Sequence, residues 1–167
     1  MFASLLRYCF SFRLFLVAFC VGVVFFSTSA PAWAIDSYIR RYIAKEPVAV
    51  KYTDAGETKT YTPEEFTKGK ELFKENCIYC HVGGSTAQDP RVTLSTEDLA
   101  GATPPRDSVV AIADYMRNPM TYDGSDISIW CRQVDWLSQA DLEILGAFVL
   151  RAAEKSPGWG RPVENSF

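Results

Sequence analysis

The sequence predicts a mainly α-helical domain with one short β-hairpin near its start. Three observations predict it. Stretches such as "TPEEF", "STEDLAGA" and "SQADLEILGAFVLRAAEK" each open on a serine or threonine cap followed by acids, which is how helices begin. One stretch only, "VAVKYTDAGETKTY", alternates, and it does so around a D-A-G-E turn. The remainder is short and broken by proline and glycine. A chain of 167 residues suits one main domain once any targeting segment is set aside.

The first 34 residues read as a cleavable signal peptide. Arg7 and Arg13 are their only charges, "LFLVAFCVGVVFF" is an apolar run of 13 residues, and Ala32 and Ala34 sit at A-x-A positions. The run is short of the ~20 apolar residues that span a bilayer. Residues 35–47 are expected as a mobile N-terminal arm, and 48–167 as the folded domain. Thr62 caps the first helix, with Pro63 at its first position and Glu65 closing a capping box, and the helix should run to about Glu75. Gly69 and Phe73 lie one turn apart on it and are expected to cross the last helix near Gly146. Ser95 or Thr96 caps a short helix, and Asp107 is expected to cap "SVVAIADYMR", which Pro119 ends. A turn follows at Asp123-Gly124. Ser138 and Asp141 cap the last helix, whose Leu142, Leu145, Val149 and Ala152 recur at helical spacing.

Cleavage after Ala34 removes Cys9 and Cys20 and leaves three of the five cysteines. It also leaves 15 basic and 20 acidic residues, a balance that argues against nucleic acid as a partner. Two of the cysteines stand in "CIYCH", with His81 the only histidine of the chain. Two intervening residues let one turn of backbone present both sulfurs to the edge of a porphyrin, while the next residue faces the iron. This is the pattern for one covalently attached haem c, with Cys77 and Cys80 as attachment points and His81 as an axial ligand. A zinc site would need a second ligand pair, and a thioredoxin-like site would need a parallel sheet. The chain offers neither pattern. The second ring nitrogen of His81 needs a backbone carbonyl to set its tautomer, expected from the loop around Pro90.

"CHVGG", "TPPRD", "DYMRNPMTYDG" and the late "WG" stand in the same order as in the cytochrome c-550 family, the extrinsic haem subunit on the lumenal side of photosystem II. From about Val48 to Gly160 the chain resembles that family. The resemblance implies a monohaem class I-like cytochrome c fold, a location in the thylakoid lumen peripheral to the membrane, and as partner the lumenal surface of photosystem II or a lumenal redox protein. It implies an electron carrier, not an enzyme. In the family the second axial ligand is a histidine about 50 residues after the first. Here Cys131 lies 50 residues after His81, in "ISIWCRQV". The chain thus resembles a c-550-like paralogue with cysteine in the distal place. Its ending, "GWGRPVENSF", departs from the family's tyrosine-rich one, and weaker, salt-sensitive docking is expected.

Four occupants compete for the sixth iron position: Cys131, Met116, Met120, and water or nothing. Met116 shares a helix with Val109, Ile112 and Ala113 and reads as core. Met120 precedes the turn that brings the distal loop round. Cys131 is favoured, with Trp130 and Ile129 expected to shield its sulfur and Arg132 to add positive charge. The leading reading is low-potential electron transfer or a redox-structural role. A haem enzyme or electron-accepting subunit in sulfur-compound oxidation, a ligand-sensing haem protein and a purely structural subunit compete with it.

Overall fold

The computed structural model describes residues 34–131 and 133–161. The signal-peptide expectation up to Trp33, the charge of Arg132 and the tail from Pro162 lie outside the described residues. After a π-helical turn at Ile39–Ile43 comes a two-stranded antiparallel sheet, β1 (Val48–Lys51) and β2 (Thr58–Tyr61). Four helices follow: α1 (Pro63–Asn76), α2 (Thr96–Gly101), α3 (Val109–Arg117) and α4 (Gln139–Lys155).

The caps explain why the helices start where they do. The Thr62 hydroxyl accepts from the Glu65 N–H, and the Glu65 carboxylate accepts in return from the Thr62 N–H at 2.7 Å, so two otherwise unpaired amides are satisfied. Ser95 caps α2 and Ser138 caps α4. The cap of α3 is Ser108 and not Asp107. The buried Ser108 hydroxyl accepts from the Ala111 N–H at 3.2 Å and donates to Asp54 at 2.6 Å. Asp107, one residue too early, instead pairs with Lys51 at 2.7 Å.

The core lies where α1 and α3 pack on α4. A Cβ on Gly69 would come 2.7 Å from the Ile144 carbonyl oxygen and 2.7 Å from the Phe148 Cβ, so α1 presses directly on α4 there. The expected meeting of Gly69 with Gly146 is corrected. Residues 144 and 148 share one face of α4 at helical spacing, and 146 lies on another. Gly146 instead faces α3, where an added Cβ would lie 3.3 Å from the Val109 carbonyl oxygen. Phe73, Phe148 and Trp159 form an aromatic triad with centroids 5.2 to 5.9 Å apart.

Residues 35–47 are not a free arm. Ile39 and Ile43, four residues apart on a π-helical turn, are buried in the core. Arg151 donates to the Ile43 carbonyl at 3.0 Å, and Lys70 pairs with Asp36 at 2.7 Å. The apolar spacing was present in "IRRYI", but five residues are too few to reveal a period.

Glu143 on α4 ties the hairpin down. It is buried, and it accepts from Lys59 at 2.7 Å, Tyr52 at 3.1 Å and Gln139 at 3.4 Å. Burial alone would raise its pKa, but the Lys59 hydrogen bond and charge, with Tyr52 and Gln139, hold it below the ordinary 4.5. A depressed carboxylate contributes stability that is present above the unfolded value and is lost as pH falls through the folded one. Thermal stability should therefore decline as pH drops below about 4.5, and Glu143→Gln should flatten that part of the profile, read by circular dichroism melts.

Candidate functional site

The end of α1 builds the first half of the site. Cys77 is its C-cap residue and donates its N–H to the Phe73 carbonyl at 2.8 Å. The Cys80 and His81 amides both return to the Cys77 carbonyl, at 3.1 and 3.0 Å. One further turn of backbone thus places two thiols and an imidazole together. Gly83 and Gly84, both at positive φ, then reverse the chain and bring Ser85 beneath the ring. The His81 Nδ1 lies 3.0 Å from the Ser85 carbonyl. A carbonyl can only accept, so Nδ1 carries the proton and Nε2 keeps its lone pair. The carbonyl comes from Ser85, not from the loop around Pro90, because this tight turn reaches the ring first. Burial lowers the pKa of His81, with the Ser85 bond opposing, so the neutral imidazole is favoured.

The second half is the loop between α3 and α4. "TPPRD" braces it. Thr103 donates its N–H to the Tyr122 carbonyl at 2.9 Å, and Arg106 reaches the Thr121 and Met120 carbonyls at 2.7 and 3.3 Å. Gly124, at φ +72°, sits where any Cβ would run into the Thr103 carbonyl. The Ser128 N–H donates back to Pro119, and buried Val134 donates its N–H to Met116. Between these ties the loop carries Cys131, whose N–H donates to the Ser128 hydroxyl at 3.3 Å.

The two halves face each other. Burial pushes the Cys77 thiol up to about 12, with Cys131 and then Cys80 adding to the rise. Burial likewise raises Cys131, while a hydrogen bond from Tyr115 and the positive Arg106 favour its anion. All three cysteines are half-buried. His81, Cys77, Cys80 and Cys131, singled out in the sequence, therefore belong to one neighbourhood. Met116 is buried in the core. Met120 is half-buried and bridges Ile127.

Tyr115, Ser128, Arg106 and Ser85 went unnoticed in the sequence as neighbours of the site. The motifs "TPPRD" and "DYMR" contained two of them, yet nothing in their spacing pointed to Cys131. The expected shield fails as well. Ile129 is 83% and Trp130 70% exposed, so neither covers the sulfur. Of the eight large hydrophobic residues that are exposed among the described residues, seven lie on the two loops that carry the sulfurs: Ile78, Tyr79 and Val82 on one, Ile127, Ile129, Trp130 and Trp136 on the other. Two thiols, a neutral imidazole with a free Nε2, a third sulfur and a rim of apolar side chains suit a flat apolar group with a central metal.

Comparison with known proteins agrees. Residues 41–165 match the cytochrome c-550 domain. A cytochrome c-550-like protein of Trichodesmium erythraeum is 46% identical over 148 residues, covering 87% of this chain and 88% of its own. Photosystem II extrinsic protein V of Gloeobacter violaceus is 42% identical over 126 residues, covering 75% and 69%. Among solved structures, the PsbV2 cytochrome of Thermosynechococcus elongatus superposes with a TM-score of 0.73 at 50% identity, over 76% of this chain and 99% of that one. Cytochrome c549 superposes with a TM-score of 0.62 at 33% identity, over 66% and 95%.

Proposed function

The chain belongs to the cytochrome c-550 family, and from that premise we propose that it is a low-potential electron-transfer cytochrome whose haem iron is held between His81 and Cys131. Its fold is the class I cytochrome c fold, mainly helical with a two-stranded sheet, and its cofactor is one covalently attached haem c. When bound, that group supplies a one-electron couple; the protein sets its potential through axial ligands, burial and hydrogen bonds. Cys77 and Cys80 would hold the macrocycle and His81 Nε2 would ligate the iron. The single observation that carries the distal assignment is that Cys131 shares a neighbourhood with Cys77 and Cys80.

A thiolate ligand is anionic. It favours the ferric over the ferrous state more than a neutral histidine or methionine does, which gives the low potential. Iron coordination also supplies what a thiol with a raised pKa lacks, a driving force to ionise.

The location we propose is the lumenal side of the thylakoid membrane, peripheral to it, after removal of residues 1–34. The Gloeobacter relative's name as an extrinsic photosystem II protein supports this. Among the described residues no helix is long and apolar enough to cross a membrane.

Low-temperature electron paramagnetic resonance of the ferric protein tests the ligation. The wild type should give a low-spin thiolate signal. Cys131→Ala should lose it, turn towards high spin or a substitute ligand, and show a raised potential. If Cys131→Ala keeps the wild-type resonances, Cys131 is not the ligand and Met120 is next to test.

A further inference from the structure

The turn at Ile39–Ile43 is buried on one side only. Ile39 and Ile43 enter the core, while Arg40, Arg41 and Tyr42 between them, and Lys45 just beyond, are exposed. Tyr42 is the eighth exposed large hydrophobic residue, the one that lies away from the two sulfur-bearing loops. The outward side thus carries three cations and an aromatic ring within six residues, in a chain whose acids outnumber its bases by 20 to 17.

The fold does not use these cations in ion pairs. Among the described residues, none of Arg40, Arg41 and Lys45 is paired with a carboxylate. Asp36 is taken by Lys70 and Glu154 by Arg151, each at 2.7 Å, which leaves Glu46 as the other acid of the segment. Neighbouring like charges repel, yet the turn is firmly held. Arg151 donates to the Ile43 carbonyl at 3.0 Å, and the Tyr38 hydroxyl is hydrogen-bonded to Ser156. The Tyr42 ring lies against Tyr38 with centroids 5.4 Å apart, and the Arg41 guanidinium sits 5.2 Å from the Tyr42 centroid. Ring and cations are presented on a fixed base.

We infer that this face is a membrane contact, on which Arg40, Arg41 and Lys45 meet anionic lipid headgroups and Tyr42 sits at headgroup level. Charge complementarity selects a negative surface. The ring selects lipid over an acidic protein: the apolar body and polar hydroxyl of tyrosine suit the boundary between acyl chains and water, and arginine and lysine stems lie along that boundary with their charges in water. Each such charge strengthens binding roughly five-fold near an anionic surface, and its reach ends within a Debye length. Three charges and one ring make a reversible contact and not an anchor. The inference deepens the membrane-peripheral location proposed above and is independent of how the iron is ligated.

Sedimentation of the exported, haem-loaded protein with lipid vesicles tests it, haem absorbance reporting the bound fraction. At low ionic strength the protein should bind vesicles of phosphatidylcholine mixed with phosphatidylglycerol, leave them as salt is raised, and ignore phosphatidylcholine alone. The triple variant Arg40→Gln/Arg41→Gln/Lys45→Gln should bind roughly a hundred-fold more weakly. Lys45→Gln alone should lose roughly five-fold, and it serves if the triple variant folds poorly. Lys74→Gln removes an exposed charge of α1, one paired with Glu71 at 3.2 Å, and should bind as wild type. Equal binding to both vesicle types, or equal losses in Lys45→Gln and Lys74→Gln, overturns the inference. No binding to anionic vesicles, with salt-sensitive retention on photosystem II that the triple variant loses, also overturns it and gives this face to an acidic protein. A protein that binds anionic vesicles as expected but fractionates away from thylakoids upholds the surface and overturns the location.

Discussion

The double variant Cys77→Ala/Cys80→Ala, expressed with export and haem attachment intact, should carry no covalent haem at all, and each single variant at most one thioether. The loss is complete because no other thiol can substitute. Cys131 enters from the facing loop, outside the turn that carries Cys77, Cys80 and His81. The backbone is not the cause, since the structural contribution of Cys77 is its N–H to Phe73 and alanine supplies the same group. Extraction with acidified butanone and mass spectrometry of the intact protein read the outcome. Covalent haem surviving in the double variant would refute the assignment of both sulfurs.

Gly69→Val should strongly destabilise the fold. Even the first carbon of the new side chain would fall 2.7 Å from the Ile144 carbonyl and from the Phe148 Cβ. Neither neighbour is the flexible end of a side chain, so α1 must withdraw from α4 and open the packing around Phe73 and Phe148. Overpacking against backbone costs about 2–4 kcal/mol, and a fall in melting temperature on the order of 10 °C follows for a domain of this size. Gly146→Ala provides the contrast. Its Cβ would meet Val109 and Ile112 at 3.3 to 3.5 Å, a tight fit offset by the roughly 1 kcal/mol that alanine gains over glycine inside a helix. It should be nearly neutral. Equal losses in the two variants would contradict the separate roles of the two glycines.

The helices and their caps were legible in advance because they depend on neighbours in sequence. Thr62 with Glu65, and Ser138 with Asp141, announce themselves within four residues. So does the motif from Cys77 to His81, whose geometry one turn supplies. What stayed hidden depends on residues brought together from afar. Asp107 looked like a cap as good as Ser108, and only the positions of Lys51 and Asp54 separate them. Gly69 and Gly146 looked like partners until the faces of α4 were known. Ser85 displaced the loop around Pro90 because a turn with two left-handed glycines is tighter than its composition suggests. Of the groups around Cys131, only Ser128 is close to it in sequence; Tyr115 arrives from α3 and Arg106 from the loop before it, and no spacing rule connects them.

Gly83 and Gly84, just past His81, are held by the far end of the domain. Gly160 donates its N–H to the Gly83 carbonyl at 2.9 Å, and the Trp159 indole donates to the Leu94 carbonyl at 2.9 Å. Contacts so distant in sequence form late in folding, because the intervening chain must first be closed into a loop. The turn just past His81 therefore gains its last fastening only when the end of the domain has docked, and a chain cut short before Trp159 would leave that turn untied on one side.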